Sequence, residues 1–497
     1  MFNEKTVLIL GAGASVDYGF PTGSDLIKDI LGNRKDILNE ISEILVGDID
    51  IPNDFNDNNW YKKRLDDLIK DFIRKYNFFT DFKHLSLILD YEELKNLNNL
   101  GFNDFEKIYG RDGLGNYFFS RRDYSIRKYE INDYVMQLER LENNNDILTK
   151  QIAEYRNSTP KFIEINDNIL EKFFKDNSRI ESNKEQKDFC LKVFKNSAKK
   201  YFKAVKFFQI LDEFDPISID FFLSIHKDEF SLELADKKIV NIGKFAISHI
   251  ILKYYNQNKI KNNWYRYILD QILRGCQGEG DNRKKIKENK LNIITFNYDA
   301  SLDNFLYERL SNLSYFDYDE DGETKNYAKE YLEDFLNDEN PNIYHIYGKI
   351  SHKNHEKADI HQILNESNNI KVIDEDRKID KIDKIRDLLV EAKKVYIIGY
   401  GFDDTNNGLL ELNKLFSSNF VNNPNHVFAL HNEITILNYE NSQIINKKIH
   451  KFIFENIKPS SEFNKEKFKI LDFNKISNLN IVHKPIAKAI NVDFNFS

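Results

Sequence analysis

Apolar residues fall in two rhythms along the chain. Near the N-terminus, Val7-Leu8-Ile9-Leu10 is an unbroken apolar run that stops at Gly11-Ala12-Gly13-Ala14-Ser15. That is the pattern of a strand buried on both faces running into a glycine turn. Runs of the same kind return late, at Ile293-Ile294-Thr295, Ile343 to Ile350, Val395 to Ile398 and Val427 to Leu430. Helical spacing follows several of them, as in Leu302, Phe305, Leu306, Arg309 and Leu310, and the glycine turn leads to Leu26, Ile27 and Ile30. Buried strands alternating with helices predict a parallel α/β sheet.

Between about residues 35 and 215 the short buried runs give way to helical spacing, as in Tyr61, Leu65, Leu68, Phe72 and Tyr76, or Leu191, Phe194, Ala198, Phe202 and Val205. The expected organisation is therefore a first piece of the α/β core over 1–35, a helical insertion over 36–215, and the remainder of the core with a C-terminal extension over 216–497. The fold class is α/β, a Rossmann-like parallel sheet with a large helical insertion. Residues 195–208 form a basic amphipathic helix, read as a solvated face over a core stripe.

Composition sharpens this picture. The 497 residues include only 19 Gly and 8 Pro, so turns are scarce and long helices are required. Apolar residues make up 41% and aromatic residues 13%, too many for a disordered chain. Two cysteines, Cys190 and Cys276, exclude a disulfide framework and a four-cysteine zinc ribbon, and point to a cytoplasmic protein. Residues 1–10 carry an acidic residue and read as a first strand, not a signal peptide, and no apolar run approaches the roughly 18 residues of a membrane span. A net charge of −8 opposes non-specific attraction to nucleic acid, which is not an expected partner.

The glycine turn carries the first candidate chemistry. Its backbone N–H groups can face an anion, and glycines let a diphosphate approach the main chain. A purely structural turn is the other reading. Val16 stands where a dehydrogenase fingerprint needs its third glycine, and no Walker lysine follows.

Further motifs stand in order along the chain. After Gly11-Ala-Gly-Ala-Ser15 come Gly19-Phe20-Pro21, then Thr295-Phe296-Asn297-Tyr298-Asp299, Tyr347-Gly348, and Gly399-Tyr-Gly-Phe402 before Asp403-Asp404. This series resembles that of sirtuins, and more particularly the sirtuin-like NAD-consuming proteins of bacterial anti-phage defence, over roughly 1–30 and 215–435. The resemblance implies that Gly11, Ala12, Gly13, Ala14 and Ser15 form the NAD diphosphate loop, and that Asp17, Phe20, Pro21 and Thr22 also belong to the NAD site. It implies that Thr295 and Asn297 stand by the nicotinamide ribose, with Asn297 catalytic, and that Gly399 and Gly401 face the adenosine side. An amide such as Asn297 donates and accepts at once, although a turn-capping Asn reads the same way. A side chain at Gly13 is expected to displace the diphosphate.

Two departures bear on chemistry. The family's usual histidine before the second motif glycine is here Tyr347, and His345 lies two residues earlier, on the same face if the strand continues. An imidazole accepts a proton near neutral pH and an ordinary phenol does not. His345 is catalytic or structural, and Tyr347 is the other candidate. Asp299 or Asp17 could stabilise positive charge on the ribose. Thr22 and Ser24 replace the Asp and Arg of deacetylases, and there is no zinc ribbon.

No metal is expected. Asp317 to Gly322 imitates an EF-hand start but lacks its later ligands, and His352, His355 and His361 are irregularly spaced. The leading expectation is an NAD-consuming hydrolase, restrained until triggered and acting in defence, with NAD as substrate. The alternatives are a catalytically degenerate NAD or nucleotide sensor, and a scaffold whose aromatic helices bind protein. The aromatic stripes suggest a homo-oligomer or an activating protein partner.

Overall fold

A computed structural model describes residues 1–49, 58–86, 167–180, 183–216, 218–226, 229–234, 239–255, 264–276, 281–313, 316–318, 324–337, 341–351, 358–371, 379–416, 418–423, 426–438, 443–456 and 476–483. These divide into two compact units, one of Met1–Ile37, Phe207–Glu233 and Ile239–Ser497, the other of Leu38–Lys206 and Leu234–Lys238.

The strands of the first unit are β1 (Thr6–Leu10), β2 (Ser231–Glu233), β3 (Ile239–Asn241), β4 (Leu291–Thr295), β5 (Phe316–Tyr318), β6 (Thr324–Asn326), β7 (Ile343–His345), β8 (Lys394–Ile398), β9 (Ser418–Asn423), β10 (His426–Asn438) and β11 (Ile476–His483). Seven of them form one sheet in the order β11-β10-β8-β1-β4-β7, with β9 antiparallel on β10 and every other pairing parallel. This is the expected Rossmann-like α/β core, with helices numerous along the chain. The unbroken apolar runs are explained by burial: all five residues of β1 are buried, between β4 and β8. β2 with β3 and β5 with β6 are separate antiparallel hairpins.

Helices Gly23–Gly32 and Ser301–Ser311 follow β1 and β4, burying Leu26, Ile27 and Ile30 on the first and Leu302, Leu306 and Leu310 on the second. One expected element is shorter. The run from Ile343 to Ile350 is a strand only to His345, because the chain turns at Ile346 and Tyr347 and Gly348 takes a φ of 75°.

In the second unit the 3.6-residue periodicity is realised by helix Asn58–Ser86 and by the part of helix Lys184–Phe214 that lies there. Tyr61, Leu65, Leu68 and Phe72 are buried on the first, Phe194, Ala198 and Val205 on the second. Phe72 meets Phe173 edge-on at 5.3 Å, and Phe173 stacks on Phe194 at 5.8 Å. The Tyr76 side chain, residues 142–146, His352 and His355 lie outside the described residues.

Candidate functional site

The site begins where β1 ends. Gly11 leads into a 3-10 helix, Ala12–Tyr18, which Gly19 closes with a φ of 87°. Two of the turn's amides are already engaged: Gly13 N donates to Gly399 O at 3.0 Å and Ala14 N to Gly11 O at 2.9 Å. A Cβ built on Gly13 would stand 2.9 Å from Gly399 Cα, and one built on Gly399 would stand 2.2 Å from Ala14 N. These glycines first serve backbone-on-backbone packing of the loops after β1 and β8. A side chain at Gly13 therefore strikes Gly399 before any ligand is considered.

Aromatic residues far along the chain hold the 3-10 helix. Trp264 Nε1 donates to Ala14 O at 3.0 Å, Tyr265 N donates to Tyr18 Oη at 2.7 Å, and the Tyr18 and Tyr265 rings stack at 3.7 Å. Phe20 lies edge-on to Tyr255 at 5.0 Å. Thr22 then caps helix Gly23–Gly32, its Oγ1 accepting from Asp25 N.

The loop after β4 meets this turn. Thr295 Oγ1 accepts from Asn297 N at 3.1 Å and orients the loop. Asn297 Nδ2 donates to Ser15 Oγ at 2.8 Å, and Asn297 Oδ1 is buried without a hydrogen-bond partner. Asp299 Oδ1 accepts from Ser301 N at 3.2 Å and from Ser301 Oγ. Burial pushes the Asp299 carboxyl above the usual carboxylate range, against the hydrogen bonds from Ser301 and Ser15.

A cavity of about 60 Å³ opens here, lined by Ala12, Phe20 to Gly23, Leu26, Ser218 to Asp220, Ile251, and Phe296 to Asp299. Of the expected site residues it brings together Ala12, Phe20, Pro21, Thr22, Asn297 and Asp299. Ser15 reaches it through Asn297. Gly11, Gly13, Ala14, Asp17, Thr295, Gly399 and Gly401 are not among its lining residues, and neither are His345 and Tyr347.

His345 and Tyr347 are turned to other partners. His345 Nε2 lies 3.0 Å from Asp303 Oδ2, and Nδ1 lies 3.3 Å from Asn297 O. Both partners are acceptors, so neither ring nitrogen faces a donor. Burial opposes ionisation of Asp303, yet His345 and Lys349 together hold its carboxyl below the usual range. Tyr347 donates to Asn406 Oδ1, and burial pushes its phenol far above the ordinary range. Asn406 sits on helix Asp404–Leu410, which Asp403 caps by accepting from Thr405 N and Asn406 N.

Sequence reasoning missed Asp220. It opens helix Ile219–Ile225, which Ser218 caps, and its Oδ1 accepts from Tyr298 Oη. The only signal was a Ser two positions before an Asp at a helix start. Trp264, Tyr265 and Tyr255 were also missed, because no motif links them to the glycine turn. Among the described residues no group of His, Cys, Asp and Glu could hold a metal, and no helix is long and apolar enough to cross a membrane.

No curated protein sequence and no solved structure matches the chain. The family model described as SIR2-like domain matches residues 291–453, a stretch that carries Asn297, Asp299, His345, Tyr347, Gly399 and Gly401 and leaves the glycine turn outside; it supports a sirtuin-like domain there.

Proposed function

We propose that the chain binds NAD at this cavity and hydrolyses the nicotinamide–ribose bond, as a restrained effector of anti-phage defence. The observation that carries the reading is the Asn297 amide. Its donor side is fixed on Ser15, and its Oδ1 is buried without a hydrogen-bond partner in a residue that lines the cavity. An unmet buried acceptor costs about 1–3 kcal/mol, which a ribose hydroxyl or a water would offset. In this reading Asn297 holds that group, the turn from Gly11 to Ser15 faces the diphosphate, and Gly399 and Gly401 lie toward the adenosine. The SIR2-like match is compatible with a function involving NAD.

The cavity is small beside the roughly 300–1,000 Å³ of ordinary ligand pockets. In this reading the cavity takes only the nicotinamide–ribose end of NAD, and the enzyme is restrained until triggered. In the same reading the protein acts in the cytoplasm, and self-association or an activating protein supplies the trigger. Sedimentation paired with an NAD assay across a concentration series reads this directly.

A second reading, an NAD sensor without turnover, is favoured by the engagement of both His345 ring nitrogens. Incubation with NAD, following nicotinamide and ADP-ribose, separates the two. Turnover abolished by Asn297→Ala supports the hydrolase; tight binding with no turnover, alone or with candidate activators, supports the sensor.

A further inference from the structure

We infer that Asp220 is the catalytic carboxylate of this site, taking the proton of the attacking water in place of an imidazole. The inference rests on the hydrolase reading above. It starts from elimination among the groups near the cavity. His345 faces an acceptor at each ring nitrogen and is not a lining residue. Tyr347 is engaged with Asn406, and its phenol is too weak an acid to furnish an anion near neutral pH. Asp299 lines the cavity but is held by three donors, Ser301 N, Ser301 Oγ and Ser15, at the junction of the glycine turn and the loop after β4.

Asp220 lines the same cavity as Asn297, whose Oδ1 has no hydrogen-bond partner. Tyr298 Oη donates to one carboxylate oxygen and Ser218 Oγ, at 3.3 Å, to the other. A carboxylate offers about four acceptor sites, so two donors fix the group and leave sites for a water. Asp220 keeps partial solvent access, so a captured proton has a way out. Burial among protein atoms pushes its carboxyl up to about 6; the Tyr298 and Ser218 hydrogen bonds oppose the rise, and Asp403 adds to it. The titratable groups facing it are Tyr298 after β4, Tyr347 after β7 and Asp403 after β8. At pH 7.5 the group is ionised, with a basicity suited to accepting a proton.

The step balances. The C1′–N bond breaks and its electron pair neutralises the departing nicotinamide ring. The water oxygen bonds to C1′, and the water proton passes to Asp220 and then to solvent.

The test compares wild type, Asp220→Asn and Tyr298→Phe. Asp220→Asn is expected to lower nicotinamide release at least 100-fold while NAD affinity, measured by calorimetry, changes less than fivefold. The acidic limb of the wild-type pH profile lies near 6 and moves upward in Tyr298→Phe, because a donor to the carboxylate is lost. Thermal unfolding without ligand supplies a reading independent of turnover: the midpoint of Asp220→Asn gains on that of wild type as pH rises from about 4 to about 6, and the gap levels off above that. A folded Asp220→Asn within threefold of an active wild type overturns the role of Asp220 alone, as does an unmoved limb in Tyr298→Phe. A wild type that binds NAD and never releases nicotinamide overturns the hydrolase reading and this role with it.

Discussion

Asn297 donates to Ser15 across 282 residues of sequence, and this bond ties the loop after β4 to the turn after β1. It also decides which way the amide points, because Nδ2 is committed and Oδ1 is left without a hydrogen-bond partner. Ser15→Ala removes the acceptor and frees the amide to rotate. Loss of that bond is worth about 1.4 kcal/mol at the reacting geometry, so NAD turnover is expected to fall about tenfold. Steady-state nicotinamide release checks this, with thermal unfolding as the control for fold.

Gly399 and Gly401 are two residues apart and differ sharply in their surroundings. Gly399 has a φ of 61°, and a Cβ there meets the backbone of Gly13 and Ala14, whereas nothing lies within 4 Å of a Cβ on Gly401. Gly399→Ala is expected to destabilise the protein by about 2 kcal/mol or more, lowering the melting temperature by roughly 4 °C or more. Gly401→Ala should stay within about 1 kcal/mol of wild type. Paired melting curves read the contrast.

The His345–Asp303 pair is a stability element with a definite pH signature. The Asp303 carboxyl is held below its unfolded value, so its contribution is complete above about pH 4 and is lost as pH falls through the lower folded value. His345→Ala leaves a buried carboxylate beside Lys349 alone and is expected to cost about 3 kcal/mol near pH 7. The gap between variant and wild type should narrow below pH 4. Urea unfolding from pH 3 to 8 measures it.

The α/β core was legible because parallel strands are buried on both faces and write themselves as unbroken apolar runs, as Val7 to Leu10 and Val395 to Ile398 do. The pairing of Asn297 with the glycine turn followed from strand ends converging on one side of such a sheet. The placement of His345 and Tyr347 did not follow. Alternation puts i and i+2 on one face only while a strand continues, and β7 ends at His345. Asp220 was illegible for another reason: its importance comes from Tyr298, 78 positions away, and no local pattern announces a partner at that distance.

The central position of β1 has a consequence for how the protein is made. Its neighbours are residues 291–295 on one side and 394–398 on the other. Synthesis at about 5–20 residues per second takes roughly 20–80 s to reach the second of these. Until then one edge of the first strand of the nascent chain has no partner, and the glycine turn lacks the Gly399 backbone that shapes it. The ribosome itself therefore delays assembly of this site, and an incomplete chain cannot form the cleft.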